Sequence, residues 1–301
     1  MSAPPPSSSS EDRDTPSEGD STSPRDTPSE GDSTSPRDTP SEGDSTSPRD
    51  STSPRDSTSP RDSAAAPDRP SHPPSLPRKL ALPVAVGVTL IVGLAVHYAF
   101  AADRAGTWSM LLAMFAVNAA LAAVAVLLLR KDGRAAVELR PRGGDLSFGA
   151  IIAGVMYGAG MAGRQLFLGS DTPRSWWVAR IYLQLGDASN NRMLYVGFAV
   201  LVIAALEELV WRGLVMRTLR DHHGALRAWL WSSLLYAVAH ASTLSLLAHP
   251  VAGWNPLLVA AAFGGGLVWG HLYNRTGRLA PGMFAHALFS WAIVDFPLWR
   301  P

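Results

Sequence analysis

The 301-residue sequence contains no cysteine. Disulfides, thiolate metal sites and cysteine nucleophiles are excluded together. Residues 1–77 also have almost no large apolar side chains, whereas 80–299 hold every Trp and Phe and nearly all the Leu. A stretch so poor in apolar surface cannot offset its ordering entropy, so 1–77 is expected to be a disordered Ser/Thr/Pro/Asp-rich tail. No cleaved leader is expected either: MSAPPPSSSS is polar, and the first apolar run starts only at Leu80, which reads as a signal anchor. The hydrophobic content of 47%, the mean hydropathy of +0.07 and the net charge of +1 average two unlike parts and describe neither.

The tail is repetitive. DTPSEGDSTSPR occurs in register at 14–25, 26–37 and 38–49, and a shortened DSTSPR follows at 50–55 and 56–61. Its prolines oppose helix and sheet, and a unit with no apolar residue has no face on which to stack into a solenoid. It reads as a solvated tether, leading through PDRPSHPPSLPRK into a membrane-embedded domain over 78–301.

From Leu80 onward about seven apolar segments follow, near 80–101, 107–129, 147–168, 193–215, 227–248, 256–273 and 279–298. Crossing ~30 Å of hydrocarbon takes about 20 helical residues, so the expected fold is all-α: a polytopic transmembrane bundle of about seven spans, with the sixth short and tilted or re-entrant. A stretch near 174–185, with Trp176 and Trp177, reads as interfacial. With the N-terminus inside, Arg78, Lys79, Arg130, Lys131, Arg134, Arg140, Arg142, Arg217, Arg220, Arg227, Arg275 and Arg278 fall on the cytoplasmic side. Only Arg104, Arg174, Arg180, Arg192 and Arg300 fall outside, an asymmetry that predicts a multi-pass protein of the inner membrane with a cytoplasmic N-terminus. Two GxxxG steps, Gly154/Gly158 and Gly266/Gly270, are expected to pack helices closely.

Ionisable groups inside a span cost roughly 2.5–3.5 kcal/mol each, so those present need a reason. The fourth segment carries adjacent Glu207 and Glu208, with Arg212 one turn on. Glu208 and Arg212 share a face as an i, i+4 pair. Glu207, about 100° away, is left unpaired and free to take a proton, as a general base must. Tyr236 and His240 on the fifth segment, and His286 and Ser290 on the seventh, are also i, i+4 pairs. Converging, these groups can activate a water and stabilise an oxyanion. Taken alone they also suit an interfacial charge pair and histidines bonded to neighbouring carbonyls. His97, His222, His223, His249 and His271 lie at segment ends or in loops and read as structural, and Asn118 reads as an interhelical hydrogen bond.

The order and spacing of these residues resemble the CPBP family, which includes the CAAX prenyl endopeptidases and bacteriocin-processing enzymes (also called ABI or Rce1-like). Its EExxxR motif is matched by Glu207-Glu208-Leu-Val-Trp-Arg212, its FxxxH by Tyr236-Ala-Val-Ala-His240, and its third by His286-Ala-Leu-Phe-Ser290. The resemblance covers about 195–297. It implies an intramembrane glutamate-type endopeptidase acting on a membrane-anchored protein or peptide in the lipid bilayer, with no nucleic-acid partner and no cofactor. It gives Glu207 the role of base, His240 that of water ligand, His286 and Ser290 that of oxyanion pair, and Glu208 with Arg212 that of the ion pair holding the first motif. Tyr236 in place of Phe adds a hydroxyl that needs a partner, and Ser290 in place of the commoner Asn is a shorter donor. Relatives in myxobacteria are proposed to process C-terminal sorting tails, and such a tail is one substrate the resemblance implies. Two other readings stay open: a zinc hydrolase using Glu207, His240 and His286, although no H-E-x-x-H is present, and a non-catalytic scaffold or immunity-type binding protein.

Overall fold

The computed structural model describes residues 76–169, 172–186 and 192–298. The repeat tail lies outside them, apart from Leu76 and Pro77. Among the described residues the chain is helical, in the order α1 (Arg78–Ala99), a 3-10 turn (Ala102–Arg104), α2 (Trp108–Lys131), α3 (Ala135–Glu138), α4 (Asp145–Phe167), α5 (Ser175–Leu185), α6 (Arg192–Glu208), a π-helical stretch (Leu209–Met216), α7 (Arg217–His223), α8 (Ala225–Ala239), α9 (Thr243–Leu246), α10 (Leu257–Thr276) and α11 (Ala280–Asp295). The apolar runs fold as helices because backbone polar groups in lipid must be satisfied within the segment. Breaks fall where that logic ends. Gly224 (φ 81°) turns the chain from α7 into α8, and Gly277 (φ 63°) closes α10 before Pro281 opens α11.

α11 packs between α4 and α6, α10 lies on α8, and α2 bridges α1 and the α6–π segment. α4 and α11 run in parallel: a side chain on Gly149 would meet Phe284 and Ala285, Tyr157 donates to the Phe296 carbonyl at 2.9 Å, and Gly160 faces Leu298. Large apolar side chains such as Leu90, Leu94, Leu127 and Ile151 remain exposed, as they do on a bundle whose solvent is lipid. Among the described residues four helices are long and apolar enough to cross a membrane: Arg78–Ala99, Trp108–Lys131, Asp145–Phe167 and Met193–His223.

All seven expected segments are helical, with corrections. The stretch 227–248 is not one span: α8 has 15 residues and stops at Ala239. Polar side chains take over its last carbonyls there, His240 Nδ1 sitting 2.9 Å from the Tyr236 carbonyl and Thr243 donating to that of His240 at 2.7 Å. α11 has only 16 residues. The sixth segment is the reverse case, a 20-residue α10 whose glycines and polar side chains leave it less apolar than a typical span. Asn118 bonds the Met114 carbonyl of its own helix at 3.0 Å rather than a neighbouring helix.

A second ionic cluster anchors the connection between α2 and α4. Buried Glu138 forms an ion pair with Arg134 at 2.8 Å and accepts from the Tyr273 hydroxyl at 3.0 Å, and its carbonyl accepts from the Leu279 amide. Burial raises the Glu138 carboxyl above the ordinary carboxylate value, while the Arg134 guanidinium pulls it back. Asp145 is paired with Arg278, which ties the start of α4 to the α10–α11 turn.

Candidate active site

The two glutamates sit at the end of α6, and the π-helical stretch follows them directly. Such wide turns recur at functional sites because they re-aim side chains without breaking the helix. Glu208 and Arg212 are each 1% exposed and pair at 2.8 Å. Arg212 also donates to the Gly266 carbonyl of α10 at 2.9 Å, and its guanidinium lies 5.5 Å from the Tyr236 ring and 5.9 Å from that of Trp269. The same Glu208 oxygen is 2.9 Å from His286 Nδ1, and a side chain on Gly282 would meet its other oxygen at 3.2 Å. The pair is therefore knit into α10 and α11 as well as its own helix.

Glu207, 5% exposed, is not unpaired, which corrects the sequence expectation. Tyr236 donates to its Oε2 at 2.6 Å, so the hydroxyl that needed a partner found the carboxylate that lacked one. His286 joins the two glutamates, with Nε2 3.8 Å from Glu207 Oε2 while Nδ1 is on Glu208. The imidazole lies between the two carboxylates and turns one nitrogen to each. His240 stands edge-on to Tyr236 with ring centres 4.9 Å apart. Ser290 lines the same cavity, without a hydrogen bond to the other site residues.

That cavity measures about 530 Å³ and runs between α2, α4, α5, α6, α8, α10 and α11. Its wall is apolar, with Met110, Met114, Ile203 and Phe289 among its residues, and Glu207, Tyr236, His240, His286 and Ser290 are gathered on it. The segment read as interfacial is the 11-residue α5, and it supplies part of this wall through Val178, Ile181, Tyr182 and Leu185. Among the described residues no three His, Cys, Asp or Glu side chains are grouped to hold a metal ion. His240 and His286 each place Nδ1 on a protein oxygen, the Tyr236 carbonyl and the Glu208 carboxylate.

Two residues of the site were missed. Trp269 stacks on His286 with ring centres 4.1 Å apart and planes at 24°, fixing the imidazole from α10. One Trp in an aromatic-rich segment gives no sign of this. Arg164 lines the cavity from α4. Its signal was available, as an arginine inside an apolar segment, but it fell near the segment's end and in neither set of flanking charges.

The described residues thus form a helical bundle with a buried carboxylate–imidazole cluster on an apolar cavity. Residues 189–292 match the family model described as Rce1-like, type II CAAX prenyl endopeptidase Rce1-like. The match spans all three motifs and supports placing this part of the chain in the CPBP/CAAX protease family, as a CAAX-protease-type peptidase of a membrane. No curated protein and no solved structure matched the chain.

Proposed function

We propose that the protein is an intramembrane endopeptidase that hydrolyses a peptide bond of a membrane-anchored protein or peptide with a water activated by Glu207. The observation that supports this is the Glu207 carboxylate, held by Tyr236 through one oxygen at a cavity lined by two histidines. Its other oxygen takes the proton of a water positioned by His240, and the water oxygen adds to the scissile carbonyl. His286, in its doubly protonated form, donates from Nε2 to the oxyanion while Nδ1 stays on Glu208, and the Ser290 hydroxyl adds a second donor. When the C–N bond breaks, Glu207 returns its proton to the leaving nitrogen. Glu208 and Arg212 position His286, and Tyr236 positions Glu207. No metal takes part in these steps. A C-terminal tail that anchors a secreted protein is a substrate of the required kind.

The test compares membrane-protein termini by mass spectrometry in the native host, with wild type against Glu207→Gln at matched abundance. Loss of a general base lowers turnover about 10²–10⁴-fold. Defined termini present only with wild type, and still formed by purified protein after chelation, are expected. Identical termini in both strains, with Glu207→Gln rescuing a deletion phenotype, would replace the peptidase by a scaffold.

A further inference from the structure

α10 carries three consecutive glycines, Gly264, Gly265 and Gly266, although glycine inside a helix is destabilising unless packing requires it. Gly266 meets α8 at Ser233, and Gly264 meets nothing within 4 Å. At Gly265 the neighbour belongs to the same helix. An added Cβ would lie 1.8 Å from Trp269 Cζ3 and 2.4 Å from its Cη2. A helical side chain leans toward the N-terminus over the preceding turn, so the Trp269 indole lies folded across position 265. It has no other place to go: Trp269 is 2% exposed, packed with Leu272 and Ala285 and against Phe289, with ring centres 5.9 Å apart.

What the folded indole presents to α11 is a flat face under His286, with ring centres 4.1 Å apart and planes at 24°. The other groups around this imidazole are Glu208 at 2.9 Å from Nδ1, Glu207 at 3.8 Å from Nε2 and the Tyr236 ring edge-on at 6.3 Å. Arg212 faces it only through Glu208. A hydrogen bond to Glu208 fixes one ring atom and leaves rotation about that contact free, whereas a stacked plane removes it. An indole face also attracts a cation, most strongly in a desolvated site. Both effects favour the ring orientation and charge with which Nε2 donates to an oxyanion.

We propose that Gly265 and Trp269 form one positioning unit for the reaction: the missing side chain at 265 lets the indole lie flat, and its face holds the His286 imidazolium with Nε2 directed to the oxyanion. This deepens the peptidase reading and rests on it, but the stack can be observed without turnover. An excited indole gives up an electron to a stacked imidazolium and so emits weakly. For the full chain in nanodiscs, subtracting the emission of Trp269→Phe from that of wild type should leave little. The same subtraction in a His286→Gln background should leave several times more.

In the host comparison, Trp269→Leu should form the Glu207-dependent termini about tenfold more slowly, the loss expected of one desolvated cation–π contact. Trp269→Phe keeps an aromatic face and should recover most of that rate. Gly265→Ala should match Trp269→Leu. Combining the two should be no slower than Trp269→Leu alone, because leucine vacates the space the new methyl needs. Where Gly265→Ala does not fold, a folded double variant supports the same pairing, and a double variant that also fails to fold overturns it. Equal emission differences in the two His286 backgrounds, equal rates for Trp269→Leu and Trp269→Phe, or additive losses in the double variant would each overturn the proposal. A quenched indole in a protein whose termini do not depend on Glu207 would remove the peptidase reading and the positioning role with it. Glu207-dependent termini without the quench would remove the positioning role alone.

Discussion

At the scale of single residues, the two adjacent glutamates live in different environments. Glu208 is neutralised by Arg212 and bonded to His286, whereas Glu207 holds a phenol and faces the cavity. Removing one partner of a buried ion pair leaves a charge with no compensation and costs about 3–5 kcal/mol. Removing the Tyr236 hydroxyl costs less, about 0.5–1.5 kcal/mol, because the carboxylate it leaves faces a cavity that water can enter. Arg212→Met should therefore unfold at much lower temperature in detergent than Tyr236→Phe, which should stay near wild type. Equal losses would mean that the Glu208–Arg212 pair is not what holds the three helices together. The Glu208–Arg212 pair was legible in the sequence because it is local. The contacts of Glu207 with Tyr236 and of Glu208 with His286 span 29 and 78 residues, and no spacing rule reports which nitrogen of a ring meets which carboxylate.

Between helices, the two GxxxG steps part company, although both were expected to pack helices closely. A side chain on Gly266 would come within 3.0 Å of the Ser233 backbone, and one on Gly270 within 2.5 Å of Trp229. Nothing lies within 4 Å of the corresponding positions on Gly154 or Gly158, so that step packs no helix among the described residues. The difference is one of position in the bundle: α10 lies on α8, whereas α4 is the least buried of the four long apolar helices. Gly266→Ala should push α10 from α8, moving the carbonyl that Arg212 bonds, and lower the melting temperature by several degrees. Gly154→Ala and Gly158→Ala should melt with wild type, and a loss at either would show that a partner covers that face. The sequence marks small residues but not what opposes them, and for the same reason it missed the end of α8, set by the bonding of His240 and Thr243.

For the molecule as a whole, the hydrophobic pattern made the helical bundle legible, and three motifs marked the candidate site within it. The sequence could not convey helix length. At about 1.5 Å per residue, the 15 residues of α8 reach about 22 Å and the 16 of α11 about 24 Å, against ~30 Å of hydrocarbon. Both carry residues of the candidate site, and both are shorter than the hydrocarbon is thick. A bilayer adapts to such mismatch by thinning at a cost of a fraction of a kcal/mol per Å, which brings headgroups and water closer to a site that otherwise lies deep. In vesicles of phosphatidylcholines with 14- to 22-carbon chains, cleavage of the substrate identified in the host should be fastest in the thinnest bilayer and fall as the chains lengthen. A rate independent of chain length would mean that neighbouring helices shield α8 and α11 from the lipid. With a rate that falls as the chains lengthen, two short helices would make membrane thickness itself a control on where in a cell's lipid landscape this protein works.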